Sequence, residues 1–413
     1  MKKNKKVEQK MEKIEPQPIL QKFYFEESNP ENGTTKKNTT KYGPVTLDKN
    51  FTLLVGKSGT GKTRFLNVLW NLKISCLRNV HLLAASGRKI SFYLVLKDRI
   101  DEEEVEIKYD FSVTYKEKVN KINVNENVEN IKEFITLDEK TILSRVQNKV
   151  TLMSSEQKEI FISMEPYFFK MRFDFDKGNE RIEQVLKSIC YFFDGLRILG
   201  SYTIPSYHIS FQEEENFIVK RDGVGLSNSY EYMKKHAGKL YDRVIKDACK
   251  ICNITDVNFK KPNLIDLPIS FMHLVENDIN QAYPIVDAAG GTLRIFAIMN
   301  LIFAPGAKSL ICIDEIDSNL DAIRIEKLIQ YLQENRESIP QMLAVSHNPY
   351  FQDRCQLKEW VVVTKKGGEH YFKRVDEEQI DPLYQTGLYG NSRLYKDVLY
   401  DEEQVPLKEC DKI

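Results

Sequence analysis

The stretch that most constrains this chain is LLVGKSGTGKTRFL, residues 53–66. Gly56, Gly61, Lys62 and Thr63 stand in the spacing of a phosphate-binding loop, directly after an apolar run and before a helical one, which is the setting such a loop needs. Its glycines allow backbone N–H groups to turn inward around a phosphate chain at a helix N-terminus, where the aligned peptide dipoles also favour negative charge. Gly56, Lys57, Ser58, Gly59, Thr60, Gly61, Lys62, Thr63 and Arg64 are therefore the expected binding residues. Lys62 reaches the β- and γ-phosphates, and the Thr63 hydroxyl is a ligand for Mg2+. The spacing predicts a nucleoside triphosphate site on an α/β scaffold.

A phosphate loop is shared by kinases, GTPases and ATP-driven clamps, so the carboxylates must separate them. SLICIDEIDSNLDA (309–322) carries Asp314 at the end of an apolar strand, followed at once by Glu315. Asp314 can hold Mg2+ through water there, and Glu315 can polarise the attacking water. AVSHNPYF places His347 at the end of another apolar strand, on the carboxyl edge where parallel sheets gather their ligands, in reach of a γ-phosphate.

Periodicity sets the architecture around these motifs. Val105, Ile107, Tyr109, Phe111, Val113 and Tyr115 alternate with polar residues, which predicts antiparallel strands with one solvated face over 89–118. Before them, 29–44 reads as a hairpin or flexible loop, with short strands at VTLD (45–48) and FTLLVG (51–56). Residues 228–285 read as helical. In the last third, apolar strands at 309–314, 341–347 and 359–366 alternate with an amphipathic helix at 321–335, the signature of a parallel sheet covered on both faces.

The 413 residues carry 60 basic and 60 acidic side chains, which argues against a protein that coats nucleic acid through bulk charge. Residues 1–20 form a basic leader without the apolar stretch of a signal peptide and are expected to be disordered, in a cytoplasmic chain. The apolar run IFAIMNLIFAPGA (295–307) is too short to span a bilayer and predicts a buried helix. Cys249 and Cys252 form a CxxC without a second pair or suitably spaced histidines, so they are expected to share one face of a helix.

DAAGGTLR (287–294) is harder to explain, because glycine costs about 1 kcal/mol against alanine inside a helix. Arg294 there is either a solvated helix residue or a partner for an opposite subunit.

Taken in order, these motifs resemble the ABC-type ATPases, in the soluble branch of SMC-like, RecF-like and OLD-like heads. GKSGTGKT matches Walker A, AAGGT the signature loop, ICIDE Walker B, SNLD (318–321) the D-loop and SHN the switch-histidine strand. SFQEEENF is similar to a Q-loop, with Gln212 the expected nucleotide contact and Gln147 a rival.

The resemblance implies a head with a mixed sheet, an antiparallel β subdomain and an inserted helical lobe. Its cofactors are ATP and Mg2+, and its partner is a second copy whose signature loop, Ala289, Gly290 and Gly291, caps the ATP. Glu315, His347 and Lys62 are the expected catalytic residues, and Thr63 and Asp314 the metal ligands.

Ala289 replaces the usual serine, which implies slow turnover. Ile316 replaces a common proline, and no segment is long enough for SMC coiled-coil arms. A separate effector is implied, as in bacterial anti-phage systems, with DNA a candidate partner. The rival readings are a transporter's nucleotide-binding subunit, and a kinase or GTPase, which would leave the diglycine and His347 unexplained.

The expected boundaries are a leader at 1–20, an N-terminal ATPase lobe at 21–120, a β/helical insertion at 121–286, a C-terminal ATPase lobe at 287–366 and a tail at 367–413. The tyrosine-rich segment 377–400 in that tail is either a partner surface or packed on its own sheet.

Overall fold

The computed structural model describes residues 17–28, 39–78, 87–116, 128–153, 157–161, 180–201, 225–260, 271–276, 281–375 and 407–409. Residues 1–16 of the expected leader, Gln212 and the segment 377–400 lie outside the described residues; the leader's last two residues, Ile19 and Leu20, instead open a strand, with Leu20 buried. The chain divides into two compact units, one formed by Pro16–Leu196 with Gln356–Ile413, the other by Arg197–Cys355 with Met1–Glu15.

The chain enters the first unit through β1 (Ile19–Ser28), β2 (Thr39–Thr46) and β3 (Phe51–Val55), then α1 (Lys62–Arg78). β4 (Lys89–Ile100), β5 (Glu103–Tyr115), β6 (Val128–Leu137), β7 (Lys140–Val146), β8 (Lys149–Met153) and β9 (Gln157–Phe161) follow as an antiparallel meander, and α2 (Glu180–Gly195) packs on α1 and β4. The second unit runs β10 (Arg197–Leu199), α3 (Leu226–His236), α4 (Gly238–Cys252), β11 (Ile254–Lys260), β12 (Phe271–Glu276), β13 (Ala282–Pro284), α5 (Gly290–Phe303), β14 (Ile311–Ile313), α6 (Ala322–Glu334), β15 (Met342–Val345) and α7 (Pro349–Gln352). The chain then returns to the first unit as β16 (Trp360–Lys366), β17 (Glu369–Val375) and β18 (Leu407–Glu409).

In the first unit the sheet is mixed. β3 and β16 are parallel, as are β17 and β2, while β1, β4 and the following strands are antiparallel. The alternation over β5 is realised residue by residue: Val105, Ile107, Tyr109, Phe111, Val113 and Tyr115 are buried and the intervening side chains face outward.

β2 is longer than VTLD, because Thr39–Thr46 pairs with β1 and buries Tyr42 and Val45. Inside the meander, Glu133 and Arg145 stand opposite each other on β6 and β7, fully buried, with N···O 3.3 Å, and the Tyr109 hydroxyl donates to Glu133 at 2.9 Å. A one-residue slip would separate that pair, so it fixes register. Lys73 of α1 donates to the carbonyls of Asp194 and Leu196 at 3.1 and 2.5 Å, a cation satisfying the end of α2.

In the second unit β10, β14 and β15 form a parallel ladder. α5 is buried from Gly291 to Phe303, apolar there but for Thr292, Arg294 and Asn300, as the run IFAIMNLIFAPGA implied. Cys249 and Cys252 lie buried on α4, where burial pushes each thiol up to about 12. The helical reading of 228–285 holds to Cys252 and fails at 254–260, 271–276 and 282–284, which are strands. Asn253, at φ 60, takes the left-handed cap of α4, and the β-branched run ITDV then opens a three-stranded antiparallel sheet, β11–β12–β13.

Candidate functional site

In the first unit, β3 delivers the chain into the phosphate loop and α1 begins at Lys62. Gly56, Gly59 and Gly61 adopt φ of 152, 83 and 101°, and the last two lie in the left-handed region that side chains resist. A Cβ on Gly56 would overlap the carbonyl oxygen of Val363 on β16, so this glycine also permits close strand packing.

Lys62 is buried at 3 % exposure, and its Nζ donates to the carbonyls of Gly56 and Lys57 at 2.7 and 2.9 Å. The ammonium is thus held within the loop whose phosphate it would neutralise. Thr60 is buried and its hydroxyl donates to Lys57 O at 2.9 Å, while Ser58, Gly59, Thr63 and Arg64 are exposed. The loop is backed by His370 of β17, which the sequence did not single out.

In the second unit, Gly200, Asp314 and His347 follow the carboxyl ends of three adjacent parallel strands. Asp314 N donates to Leu199 O at 2.9 Å, and Ile316 N to Val345 O at 3.0 Å, so the turn bearing Asp314 and Glu315 is tied to both neighbours. Asp314 is buried at 2 % exposure; Glu315 is half-buried in the left-handed region at φ 48, a strained conformation for a non-glycine residue. His347 is exposed, and Asn348 caps α7 by accepting from Tyr350 N at 2.9 Å. The hydroxyl of Thr63 and the carboxylate of Asp314 are hard oxygen donors of the kind Mg2+ takes.

Both readings of Arg294 are overturned. It is fully buried, and its guanidinium donates to the carbonyls of Gly200 at 2.6 Å, Asp314 at 2.5 Å and Glu315 at 2.9 Å. Burial pushes its pKa down to about 10, against the opposing pull of Asp314, Asp317 and Glu315, so it stays charged at neutral pH. It clamps the carboxylate turn from behind.

The diglycine now has an intramolecular reason. A Cβ on Gly291 would stand 2.5 Å from the backbone oxygen of Asn319 in the D-loop and 3.1 Å from Nη1 of Arg324. On Gly290 it would meet the Asn319 side chain at 3.4 Å, an ordinary contact. Gly291→Ala should therefore cost stability, on the order of 1–3 kcal/mol as overpacking against main chain does, whereas Gly290→Ala should not. Equal urea midpoints for the two variants would show that the D-loop contact does not constrain Gly291.

Gln147, the rival Q-loop residue, is a turn residue between β7 and β8 at φ 59. It donates to Glu129 O at 3.1 Å, and its carbonyl accepts from Arg145 Nε at 3.0 Å.

The family profile for the RecF/RecN/SMC N-terminal domain matches residues 36–370. The chain belongs to that family. It is an SMC-like, ABC-type ATPase head, and this branch assignment does not favour the transporter reading.

Three solved SMC-family structures can be set beside it. The Smc head bound to the C-winged helix domain of ScpA is 13% identical with TM-score 0.49, covering 87% of this chain and 98% of that one. The SMC head domain from Thermotoga maritima is 13% identical with TM-score 0.40, covering 87% and 99%. The Smc head domain with an extended coiled coil, bound to the C-terminal domain of ScpA derived from Pyrococcus furiosus, is 12% identical with TM-score 0.48, covering 90% and 100%. Comparison with curated proteins gives no match. No helix among the described residues of this SMC-family chain is long and apolar enough to cross a membrane.

Proposed function

We propose that this SMC-family head binds Mg·ATP, pairs with a second copy so that each signature loop closes over the nucleotide of the other, and hydrolyses slowly enough for the closed state to act as a switch. Its output passes to a separate effector, in anti-phage defence or DNA metabolism, with DNA as a candidate ligand. The observation that carries this reading is α5. Thirteen of its residues, Gly291 to Phe303, are buried, while Ala289 and Gly290 at its N-terminus are exposed and no side chain caps it. Helix N-termini are usually capped by a side-chain oxygen, and an alanine there leaves the first N–H groups and the positive end of the dipole for an anion to meet.

In this mechanism the Walker A backbone and Lys62 bind the phosphates, Thr63 and Asp314 hold Mg2+, which supplies charge neutralisation when bound, and Glu315 accepts the proton of the attacking water. His347 contacts the γ-phosphate. Ala289 offers no hydroxyl to that phosphate, and the loss of one hydrogen bond to a charged acceptor, about 1–3 kcal/mol, accounts for slow turnover.

The first test is Lys62→Ala. Removing the ammonium that donates to Gly56 O and Lys57 O should weaken Mg·ATP binding by about a hundredfold, the equivalent of a strong charge-assisted contact. A calorimetric titration giving wild-type affinity would place the nucleotide elsewhere.

A further inference from the structure

His370 lies far from the loop in sequence and against it in space. It is buried at 2 % exposure on β17, with its ring flat on Tyr42, its partner in the parallel β2–β17 ladder; the ring centroids are 4.4 Å apart and the planes 6° from parallel. Its Nδ1 stands 2.5 Å from the carbonyl oxygen of Thr60. A carbonyl only accepts, so Nδ1 carries the hydrogen. A Cβ built on Gly61 would overlap Nδ1 and Cε1 of the ring, so the loop presents its bare glycine to the face the imidazole occupies. Phe65 of α1 packs on Tyr42 and on Phe372, with centroids 6.4 and 4.8 Å apart, which locks the stack beneath the first turn of the helix.

We infer that His370 is a positioning residue of the nucleotide site: by donating from Nδ1 to the Thr60 carbonyl it orients the Thr60–Gly61 peptide, so that the Gly61 N–H faces the phosphate cradle. The C=O and N–H of a planar trans peptide point in opposite directions, so pinning the carbonyl to the ring turns the amide hydrogen away from it. Within the loop, Thr60 donates to Lys57 O from its N–H at 3.4 Å and its hydroxyl at 2.9 Å, and the hydroxyl accepts from Lys62 Nζ at 3.4 Å; none of these holds the Thr60 carbonyl.

The electrostatics agree with a neutral donor. Burial lowers the His370 pKa, the Thr60 hydrogen bond opposes that, and the charges of Lys365 and Arg64 lower it further. At neutral pH the ring gives a hydrogen bond without placing another cation behind the loop. This inference rests on the ATP-binding reading of the loop.

The test compares His370→Leu with His370→Asn in the full chain. The two replacements are close in shape, and asparagine alone restores an N–H near the position of Nδ1. The leucine variant should weaken Mg·ATP binding and raise KM about tenfold, the effect of leaving one buried acceptor unsatisfied, with kcat changed much less. Asparagine should stay within about threefold of wild type on the same scale.

Equal affinity in the leucine variant, or equal losses in both variants with both folded by circular dichroism, overturns the inference. If the leucine variant does not fold, the wild-type protein supplies the answer through its histidine 15N spectrum. His370, assigned through its ring contact with Tyr42, should be the Nδ1–H tautomer, and an Nε2–H tautomer overturns the inference as surely. Wild-type protein that fails to bind Mg·ATP would sink the nucleotide reading, while the tautomer would still report on the Thr60 contact.

Discussion

Glu315→Gln should slow ATP hydrolysis by about 10²–10⁴-fold, the range for losing a positioned general base, while leaving Mg·ATP binding near its wild-type affinity. The amide keeps the size of the carboxylate and loses the acceptor that takes a proton from water. Glu315 suits that role: it is half-buried at the end of a parallel strand, with its carbonyl held by Arg294 at 2.9 Å and its backbone in the left-handed region. Because binding survives and hydrolysis does not, the variant should also collect in the closed pair. Multi-angle light scattering with and without Mg·ATP measures this directly, and a variant that hydrolyses at the wild-type rate would remove Glu315 from the mechanism. A hydrolysis-dead variant that stays monomeric with ATP would instead leave the site and remove the proposed pairing.

Arg294→Met should be the most damaging single change outside the loop. Methionine fills much of the same volume but donates nothing, so the carbonyls of Gly200, Asp314 and Glu315 lose donors at 2.5–2.9 Å. The Asp314 contact is fully buried, and each unsatisfied buried acceptor costs about 1–3 kcal/mol, so a total near 3 kcal/mol is expected after relaxation. Hydrolysis should fall further than stability alone explains, because Glu315 depends on the same clamp and a displacement near 1 Å can cost about a hundredfold in rate. Urea unfolding and single-turnover hydrolysis separate the two effects. Arg294→Lys should recover part of the stability and little of the rate, since one ammonium cannot reproduce a planar fork across separate carbonyls. Wild-type hydrolysis in the methionine variant would show that the clamp is dispensable to Glu315.

The sequence determined the parts of this protein that are written in contiguous residues. A loop of this pattern needs one strand, one run of glycines and one helix start, all within a short contiguous stretch, so the strand, the turn and the helix start at Lys62 could be read directly. Alternation along β5 and the apolar run of α5 were legible for the same reason, since burial imposes a period on neighbouring side chains. The helical reading failed at 254–260, 271–276 and 282–284 because short strands after a left-handed cap carry too few residues to display their period.

Only the tertiary structure could place Arg294 and His370. Arg294 meets the carbonyls of residues 20 and 94 positions away, and His370 meets one 310 positions away. A Cβ on Gly291 would likewise meet the backbone oxygen of Asn319 first. Every residue offers the same main-chain carbonyl, so such a contact leaves no mark on the residue that receives it. The sequence names the donors, and the fold alone selects which of many identical acceptors each one reaches.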